Sequence, residues 1–256
     1  FESFFGGGGR GARAQSQRGQ DLQVRITISL DDVLHGAKKT ISIDKVVACS
    51  DCNGSGSEGG SLVTCDECQG TGQVTKTAQS FLGTIQQSFV CQKCEGAGKT
   101  PEKPCATCRG EGVKREKANL TLDIPAGVED GQQLRITGQG NAGRRGAQAG
   151  DLYVLITVTH DRRFVREGND VRSSVTVPVI DAILGTEVSV ETVHGSVKLK
   201  VPAGTQPSQV IRIKGKGLPE LNSSRLGDHF ITILVEVPKK LSREEKKLME
   251  EWKGLL

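Results

Sequence analysis

Residues 49–56 read CSDCNGSG, the first of four copies of one pattern, in which Cys-x-x-Cys is followed by x-Gly-x-Gly. The other copies read CDECQGTG from Cys65, CQKCEGAG from Cys91 and CATCRGEG from Cys105. Together the four copies use all eight cysteines of the chain. Because one Cys-x-x-Cys turn directs two sulfurs at one ion, four turns predict two closed tetrahedral metal sites.

Zn²⁺ suits such sites, and we expect two zinc ions per chain with thiolate ligands alone, since no histidine lies in this stretch. Disulfides in a secreted protein are an alternative, but repeated Cys-x-x-Cys pairs make a poor disulfide framework and a good metal framework. A thioredoxin-like redox motif needs one pair and leaves four glycine-tailed copies unexplained. Reduced, metal-binding cysteines favour a cytoplasmic location.

An internal repeat organises the rest of the chain. The segment DLQVRITISLDDVLHG at 21–36 matches DVRSSVTVPVIDAILG at 170–185, at an offset of 149 residues. LRITGQG at 134–140 matches IRIKGKG at 211–217, at an offset of 77. The difference between the offsets predicts one β-rich domain present twice, with an insertion of 72 residues in the first copy.

The insertion also predicts how the cysteines group. In the second copy the equivalent strand ends join through a short turn at 193–196, so the insertion leaves and re-enters the first copy at neighbouring points. Its first and last motifs then lie together at the base, and its middle motifs at the tip. We expect one zinc ion on Cys49, Cys52, Cys105 and Cys108, and the other on Cys65, Cys68, Cys91 and Cys94. Sequential pairing of the first motif with the second is the alternative.

These patterns predict a mainly β fold with two tandem, similar β-sandwich-like domains, an inserted two-zinc β-hairpin domain and a short C-terminal helix. The predicted boundaries are 1–20 for a Gly/Phe-rich flexible linker, 21–45 and 113–160 for the first β domain, 46–112 for the zinc domain, 161–240 for the second β domain and 241–256 for the helix. We interpret residues 161–169 as the link between the two copies.

The C-terminal helix is predicted to begin with a capping box formed by Ser242 and Glu245. Leu248, Trp252 and Leu255 form one apolar stripe. A helix this short is marginal alone, so the stripe must dock on its own domain or on a second chain. The chain's only tryptophan lies on this stripe, which favours a dimer contact.

Several function classes are disfavoured. The sequence contains no serine nucleophile elbow or Walker loop, and four ligands per ion leave no open catalytic position, so we predict no catalytic residues and no enzyme. No apolar run approaches the roughly 18 residues of a membrane span. The zinc domain holds seven acidic and five basic residues, so it lacks the basic surface that nucleic acid requires. A binding protein remains, with a zinc-containing thiol–disulfide oxidoreductase as the alternative.

The four CxxCxGxG motifs, the Gly/Phe linker, the VPAG and GKG turns and the order of these parts resemble the type I J-domain co-chaperones of the DnaJ type. The resemblance implies binding of unfolded or misfolded polypeptides, prevention of their aggregation and delivery to a DnaK-type chaperone, with a nucleotide-exchange factor in the cycle. It also implies a homodimer through the C-terminus. The family's J domain, with its His-Pro-Asp triplet, has no counterpart here, so we expect a fragment that does not itself stimulate ATP hydrolysis.

The resemblance further implies an apolar groove for substrate beside an edge strand of the first β domain. Matching strands by position gives five substrate-binding candidates: Ile26 on the first strand, Ile41 and Ile43 on the second, Leu120 opposite them, and Val154. The alternative for each is an ordinary core position.

Overall fold

Alternating apolar and polar residues make most of this chain strand. The computed structural model describes residues 18–80 and 83–255, and of 78–80 and 83–85 it describes the backbone. The predicted Gly/Phe linker lies outside the described residues except for 18–20. The described strands are β1 (Leu22–Ile28), β2 (Ala37–Ala48), β3 (Leu62–Thr64), β4 (Gln73–Ser80), β5 (Gly83–Val90), β6 (Lys99–Pro101), β7 (Val113–Ile124), β8 (Gln133–Ile136), β9 (Leu152–Val158), β10 (Val165–Glu167), β11 (Asp170–Pro178), β12 (Thr186–Thr192), β13 (Gly195–Val201), β14 (Val210–Ile213) and β15 (His229–Glu236).

Three α-helices accompany these strands in the described part of the chain: α1 (Leu30–His35), α2 (Val179–Leu184) and α3 (Arg243–Lys253). The fold is therefore mainly β, as predicted. The predicted capping box opens α3, with the Ser242 hydroxyl accepting from the Glu245 N–H at 3.1 Å. None of the three helices is long and apolar enough to cross a bilayer.

The internal repeat recurs in the order of the elements. Helices α1 and α2 stand at the offset of 149 residues, and strands β8 and β14 at the offset of 77. One sheet has the strand order β1-β9-β8, and the other has the order β10-β11-β15-β14. The shared order of equivalent strands means that each copy builds its sheet in the same way.

The second sheet contains one strand that has no counterpart among the described residues of the first sheet. Residues 161–169, interpreted from the sequence as a link, contain β10, which pairs antiparallel with β11 from Val165↔Arg172 to Glu167↔Asp170. Gly168 and Asn169 form the two-residue turn, and Gly168 has φ +61°. A Gly-Asn pair between short strands is a hairpin signal, so the sequence did contain a sign of this strand.

The chain divides into two compact units. The first comprises the described residues up to Ile26, Thr40–Leu122 and Gln133–Leu155, and the second comprises Thr27–Lys39, Asp123–Gln132 and Ile156–Leu256. In the second unit, the β11 and β15 strands and the β12–β13 ladder share one aliphatic core. Its buried members are Val177, Val190, Leu199, Val201, Ile231 and Ile233. Because this core is shared by two separate sheets, the packing is sandwich-like, and burial of each such side chain contributes about 1.5–3 kcal/mol.

The cysteine-rich arm, residues 49–112, lies between β2 and β7 in the chain. Each of these strands has 12 residues, whereas their counterparts β12 and β13 have seven and join through a two-residue turn. A small β3–β6 ladder lies within the arm, and β4 pairs with β5 from Gln73↔Val90 to Ser80↔Gly83. The two residues at the tip of this hairpin, 81 and 82, lie outside the described residues.

Candidate metal centres

The eight cysteine sulfurs gather into two clusters of four. The base cluster consists of Cys49, Cys52, Cys105 and Cys108, and the tip cluster of Cys65, Cys68, Cys91 and Cys94. Within each cluster all sulfur atoms lie within 4.8 Å of one another, and all eight residues are buried. The clusters have the nested grouping and not the sequential one.

The sulfur separations fit one metal ion per cluster. Sγ–Sγ distances are 3.7 Å for Cys52–Cys108, 3.9 Å for Cys65–Cys91 and 3.6 Å for Cys68–Cys94. A tetrahedron whose metal–sulfur bonds are about 2.3 Å has edges of about 3.8 Å. A disulfide requires about 2.05 Å instead, and all eight cysteines are free. Each cluster can therefore hold a metal ion with little rearrangement.

The second glycine of every motif donates its N–H to the second cysteine. The N···Sγ distances are 3.2 Å for Gly56–Cys52, 3.3 Å for Gly72–Cys68, 3.3 Å for Gly98–Cys94 and 3.2 Å for Gly112–Cys108. An N–H donor stabilises the thiolate over the thiol, and the thiolate is the form that binds metal. The spacing of the motif therefore places a backbone N–H donor beside the second cysteine sulfur of every copy.

The motifs also bind one another through reciprocal backbone hydrogen bonds. At the base, Cys49 N–H donates to Gly112 O and Cys105 N–H donates to Gly56 O, both at 2.9 Å. At the tip, the equivalent bonds run from Cys65 to Gly98 at 2.9 Å and from Cys91 to Gly72 at 3.0 Å. The close approach requires glycine: Gly112 has φ +75°, and a Cβ there would collide with the Gly54 carbonyl.

Hydrogen bonding lowers two thiol pKa values. The N–H of Cys108 is the main cause that brings the pKa of Cys105 down to about 7. Burial raises the pKa of Cys68, but N–H donors led by Gly72 outweigh it and bring this pKa to about 7. These two sulfurs lose their protons most readily, whereas burial raises the pKa of Cys108 to about 11 and the pKa of Cys91 is raised to about 12, so metal binding must displace those protons.

One loop outside the arm contacts a motif of each cluster. Arg144 and Arg145 lie between β8 and β9, and the Arg145 guanidinium donates to Cys94 O at 3.1 Å and to Gly110 O at 3.2 Å. The sequence analysis did not single out these two arginines. The sequence did contain a signal, because only the copy with the arm has arginines at these positions, and the second copy has Leu221 and Asn222 instead.

The five substrate-binding candidates occupy two kinds of position. Ile26 and Val154 are core residues, with 8% and 1% of their surface exposed. Ile41, Ile43 and Leu120 are half-buried on β2 and β7. Only these last three have surface that a bound chain can reach.

The ladder geometry places Ile41 and Leu120 together. The hydroxyls of their neighbours Thr40 and Thr121 lie 3.4 Å apart across the β2–β7 pair. In the second copy, the residues equivalent to Ile41 and Leu120 are the opposed pair Val190↔Val197. Cross-strand partners lie close enough to form one apolar surface.

The apolar stripe of α3 faces α2 across a cavity of about 390 Å³. Leu248 and Trp252 line one side, and α2 supplies Ile180, Ile183 and Leu184, which sequence reasoning did not single out. The stripe stays largely open, since Leu248 is 65% exposed, Trp252 43% and Leu255 85%. Docking on its own unit therefore leaves much of this face uncovered.

Comparison with known proteins identifies the family. The family model described as the DnaJ C terminal domain matches residues 22–238. "Chaperone protein DnaJ" of Pediococcus pentosaceus is 41% identical over 253 residues, covering 98% of this chain and 68% of the relative. The protein of the same name from Prosthecochloris aestuarii is 43% identical over 252 residues, covering 98% and 64%.

The chain thus spans about two thirds of the length of these relatives. A third, "Chaperone protein DnaJ" of Clostridium beijerinckii, is 42% identical over 255 residues, again with 98% of this chain and 68% of the relative covered. The relatives' shared name describes a chaperone and no catalysed reaction. This chain belongs to the DnaJ family and contains its C-terminal domain.

Proposed function

We propose that this chain is the polypeptide-binding part of a co-chaperone. It binds unfolded or misfolded polypeptides, prevents their aggregation and supports their delivery to a DnaK-type ATP-dependent chaperone, in a cycle that includes a nucleotide-exchange factor. The DnaJ name of the relatives and the half-buried aliphatic residues on β2 and β7 support this function. The DnaK-type partner comes from the family resemblance alone.

The observation that carries the proposal is the row of half-buried aliphatics on the β2–β7 ladder. This ladder has two strands within the described residues, so each strand offers an edge to an extended chain. An added strand gains backbone hydrogen bonds and places alternate side chains against Ile41, Ile43 and Leu120. Ile26 and Val154 are buried on β1 and β9 and offer no such surface. Such a site reads backbone and general apolar character, which suits varied clients.

The proposed cofactor is one Zn²⁺ ion in each cysteine cluster. Zinc forms bonds of about 2.3 Å to thiolate sulfur, in agreement with the sulfur separations, and prefers a tetrahedral set of this kind. When bound, zinc closes each cluster as a structural site and stabilises the arm. The chain supplies the thiolate ligands, and the glycine N–H groups that donate to the sulfurs stabilise these thiolates.

The open stripe of α3 supports homodimerisation. Leu248, Trp252 and Leu255 expose apolar surface that a second copy can cover, and tryptophan is enriched at such contacts. A reducing location, the cytoplasm, is proposed because eight free thiols with metal-site geometry require one.

A thiol–disulfide oxidoreductase is the second candidate, and the burial of all eight sulfurs disfavours it. The discriminating experiment is light scattering of an unfolded client without ATP. We expect the zinc-loaded chain to suppress aggregation and to show no reductase activity in an insulin-reduction assay. A folded, zinc-loaded chain that leaves aggregation unchanged would refute the proposed function.

A further inference from the structure

The guanidinium of Arg145 bridges one motif of the tip cluster and one motif of the base cluster. Its Nη1 donates to the carbonyl of Cys94, a tip-cluster residue, at 3.1 Å. Its Nε donates to the carbonyl of Gly110, two residues after the base-cluster residue Cys108, at 3.2 Å. One rigid, planar group thus fastens the motif at 91–98 to the motif at 105–112.

The neighbouring arginine makes a weaker form of the same bridge. Arg144 lies 3.3 Å from a Glu95 carboxylate oxygen and 3.5 Å from a Glu111 carboxylate oxygen. All three side chains are about half exposed, so solvent screens these ion pairs. Arg145 is half-buried and bonds to backbone carbonyls, which makes it the stronger link.

The backbone at Arg145 is held in an unusual conformation. Its φ of 49° and ψ of 43° lie in the left-handed region, which side chains other than glycine and asparagine disfavour. Its N–H donates to Glu111 O at 3.2 Å, so the backbone of this loop also bonds to the arm. An arginine at such a position is uncommon and calls for a contact made by its side chain.

The second copy provides an internal comparison. Asn222 is the equivalent of Arg145 and has a left-handed φ of 57° as well. The loop conformation therefore belongs to both copies, whereas the arginine occurs only in the copy that carries the arm. The arginine is not needed for the loop, which leaves the arm as the reason for its presence.

We propose that Arg145 is a positioning residue that couples the two metal clusters. By holding Gly110 and Cys94 on one guanidinium, it makes the order of the tip cluster depend on the order of the base cluster. Loss of metal at the base releases the Gly110 segment and withdraws one of the two carbonyls that orient the guanidinium. This inference rests on the metal binding proposed above, and it concerns the link between the clusters.

The test compares four proteins: the native chain, Arg145→Asn, the base-disabled chain with Cys49→Ser and Cys52→Ser, and the combination of all three substitutions. Each is loaded with zinc and exposed to a chelator and an alkylating reagent. Mass spectrometry of the peptides gives the alkylation rate of the tip residues Cys91 and Cys94. Arg145→Asn keeps the left-handed backbone that Asn222 shows and removes the guanidinium.

With Arg145 present, disabling the base should accelerate tip alkylation by about tenfold, the effect of losing one charge-assisted hydrogen bond. In the Arg145→Asn background the tip should already react faster, and disabling the base should add less than about twofold. The same dependence on the base in both backgrounds would overturn the coupling. If Arg145→Asn fails to retain zinc, Arg145→Lys replaces it, because a single ammonium lacks the guanidinium fork and should weaken the dependence.

Arg225→Asn is the matched control, since Arg225 is an exposed arginine in the equivalent loop of the second copy. It should react like the native chain, and a faster tip reaction there would count against a specific role for Arg145. Native mass spectrometry separates the two proposals. Fewer than two zinc ions on the native chain would refute the proposed metal binding, whereas two ions with unchanged rates in the variants would refute the coupling alone.

Discussion

The backbone N–H of Asp228 donates a 2.6 Å hydrogen bond to the side chain of Asp170, which begins β11. The first copy repeats this bond between Asp151 and Asp21 at 2.7 Å. In both copies a carboxylate at the start of one strand therefore fixes the start of its neighbour. The second aspartate of each pair, Asp151 or Asp228, also accepts from a turn glycine at 2.8 Å.

Loss of the hydrogen bond from Asp228 N–H to Asp170 should destabilise the second unit. Asp170→Ala deletes a charge-assisted acceptor and should cost about 1.5–3 kcal/mol of unfolding free energy, measured by urea denaturation. Asp170→Asn keeps an acceptor oxygen and should cost distinctly less. Equal losses for the two variants would show that the hydrogen bond is not the source of the stability.

Metal retention should depend on the close approach at Gly112. Gly112→Ala places a methyl group against the Gly54 carbonyl, so the base cluster should open and zinc release to a chelator should become about tenfold faster. Gly59→Ala is the matched control, because Gly59 also has a positive φ, +76°, but a Cβ there meets nothing within 4 Å. Similar release from both variants would attribute the effect to backbone strain alone.

Client affinity should depend on the half-buried row of the β2–β7 ladder. The double variant Ile41→Ser and Ile43→Ser removes apolar contact surface and should weaken peptide binding by at least about tenfold in fluorescence anisotropy. Zinc content should stay at the native value. Ser42→Ala, on the opposite face of β2, should bind normally, and unaltered affinity in the double variant would exclude this surface as the groove.

Acid sensitivity of the second unit should originate at His229. This side chain is fully buried, its Nε2 lies 2.8 Å from the Ser173 hydroxyl, and among the described residues its Nδ1 is a buried polar atom without a partner. Burial lowers the pKa of His229 in the folded state. The unfolded chain therefore takes up the proton first, and stability should fall as the pH drops below about 6.5.

The residue equivalent to His229 in the first copy suggests a substitution that tests the origin of the acid sensitivity. Leu152 stands at the position equivalent to His229, so His229→Leu should fold and lose this part of the pH dependence between neutral pH and pH about 5. Thermal unfolding at several pH values measures it. His160→Leu changes an exposed histidine and should retain the native dependence. A His229→Leu variant with the native pH profile would assign the acid sensitivity elsewhere.

Dimerisation should depend on the open face of α3. Trp252→Ala removes the largest apolar side chain of the stripe and should raise the dimer dissociation constant by about 30-fold or more, measured by sedimentation. Lys247→Ala, whose side chain is 79% exposed in an ion pair on the same helix, should have little effect. A native chain that is monomeric at high concentration would contradict the proposed dimer.

The sequence alone determined the features that depend on local spacing and on the repeat. Each CxxCxGxG motif brings its own turn, because the glycines and the two cysteines lie within eight residues. The nested grouping also followed from the sequence, since an insertion between adjacent strand ends must return to its starting point. The capping box of α3 needed only Ser242 and Glu245, three residues apart.

The tertiary structure decided the contacts between distant parts of the chain. Arg145 reaches Gly110 and Cys94 across sequence separations of 35 and 51 residues, and no local pattern encodes such contacts. It also separated Ile26 and Val154, which are buried, from Ile41, Ile43 and Leu120, which are partly exposed. All five are aliphatic residues in strands with the same period, so only the packing of one strand on another distinguishes core from surface.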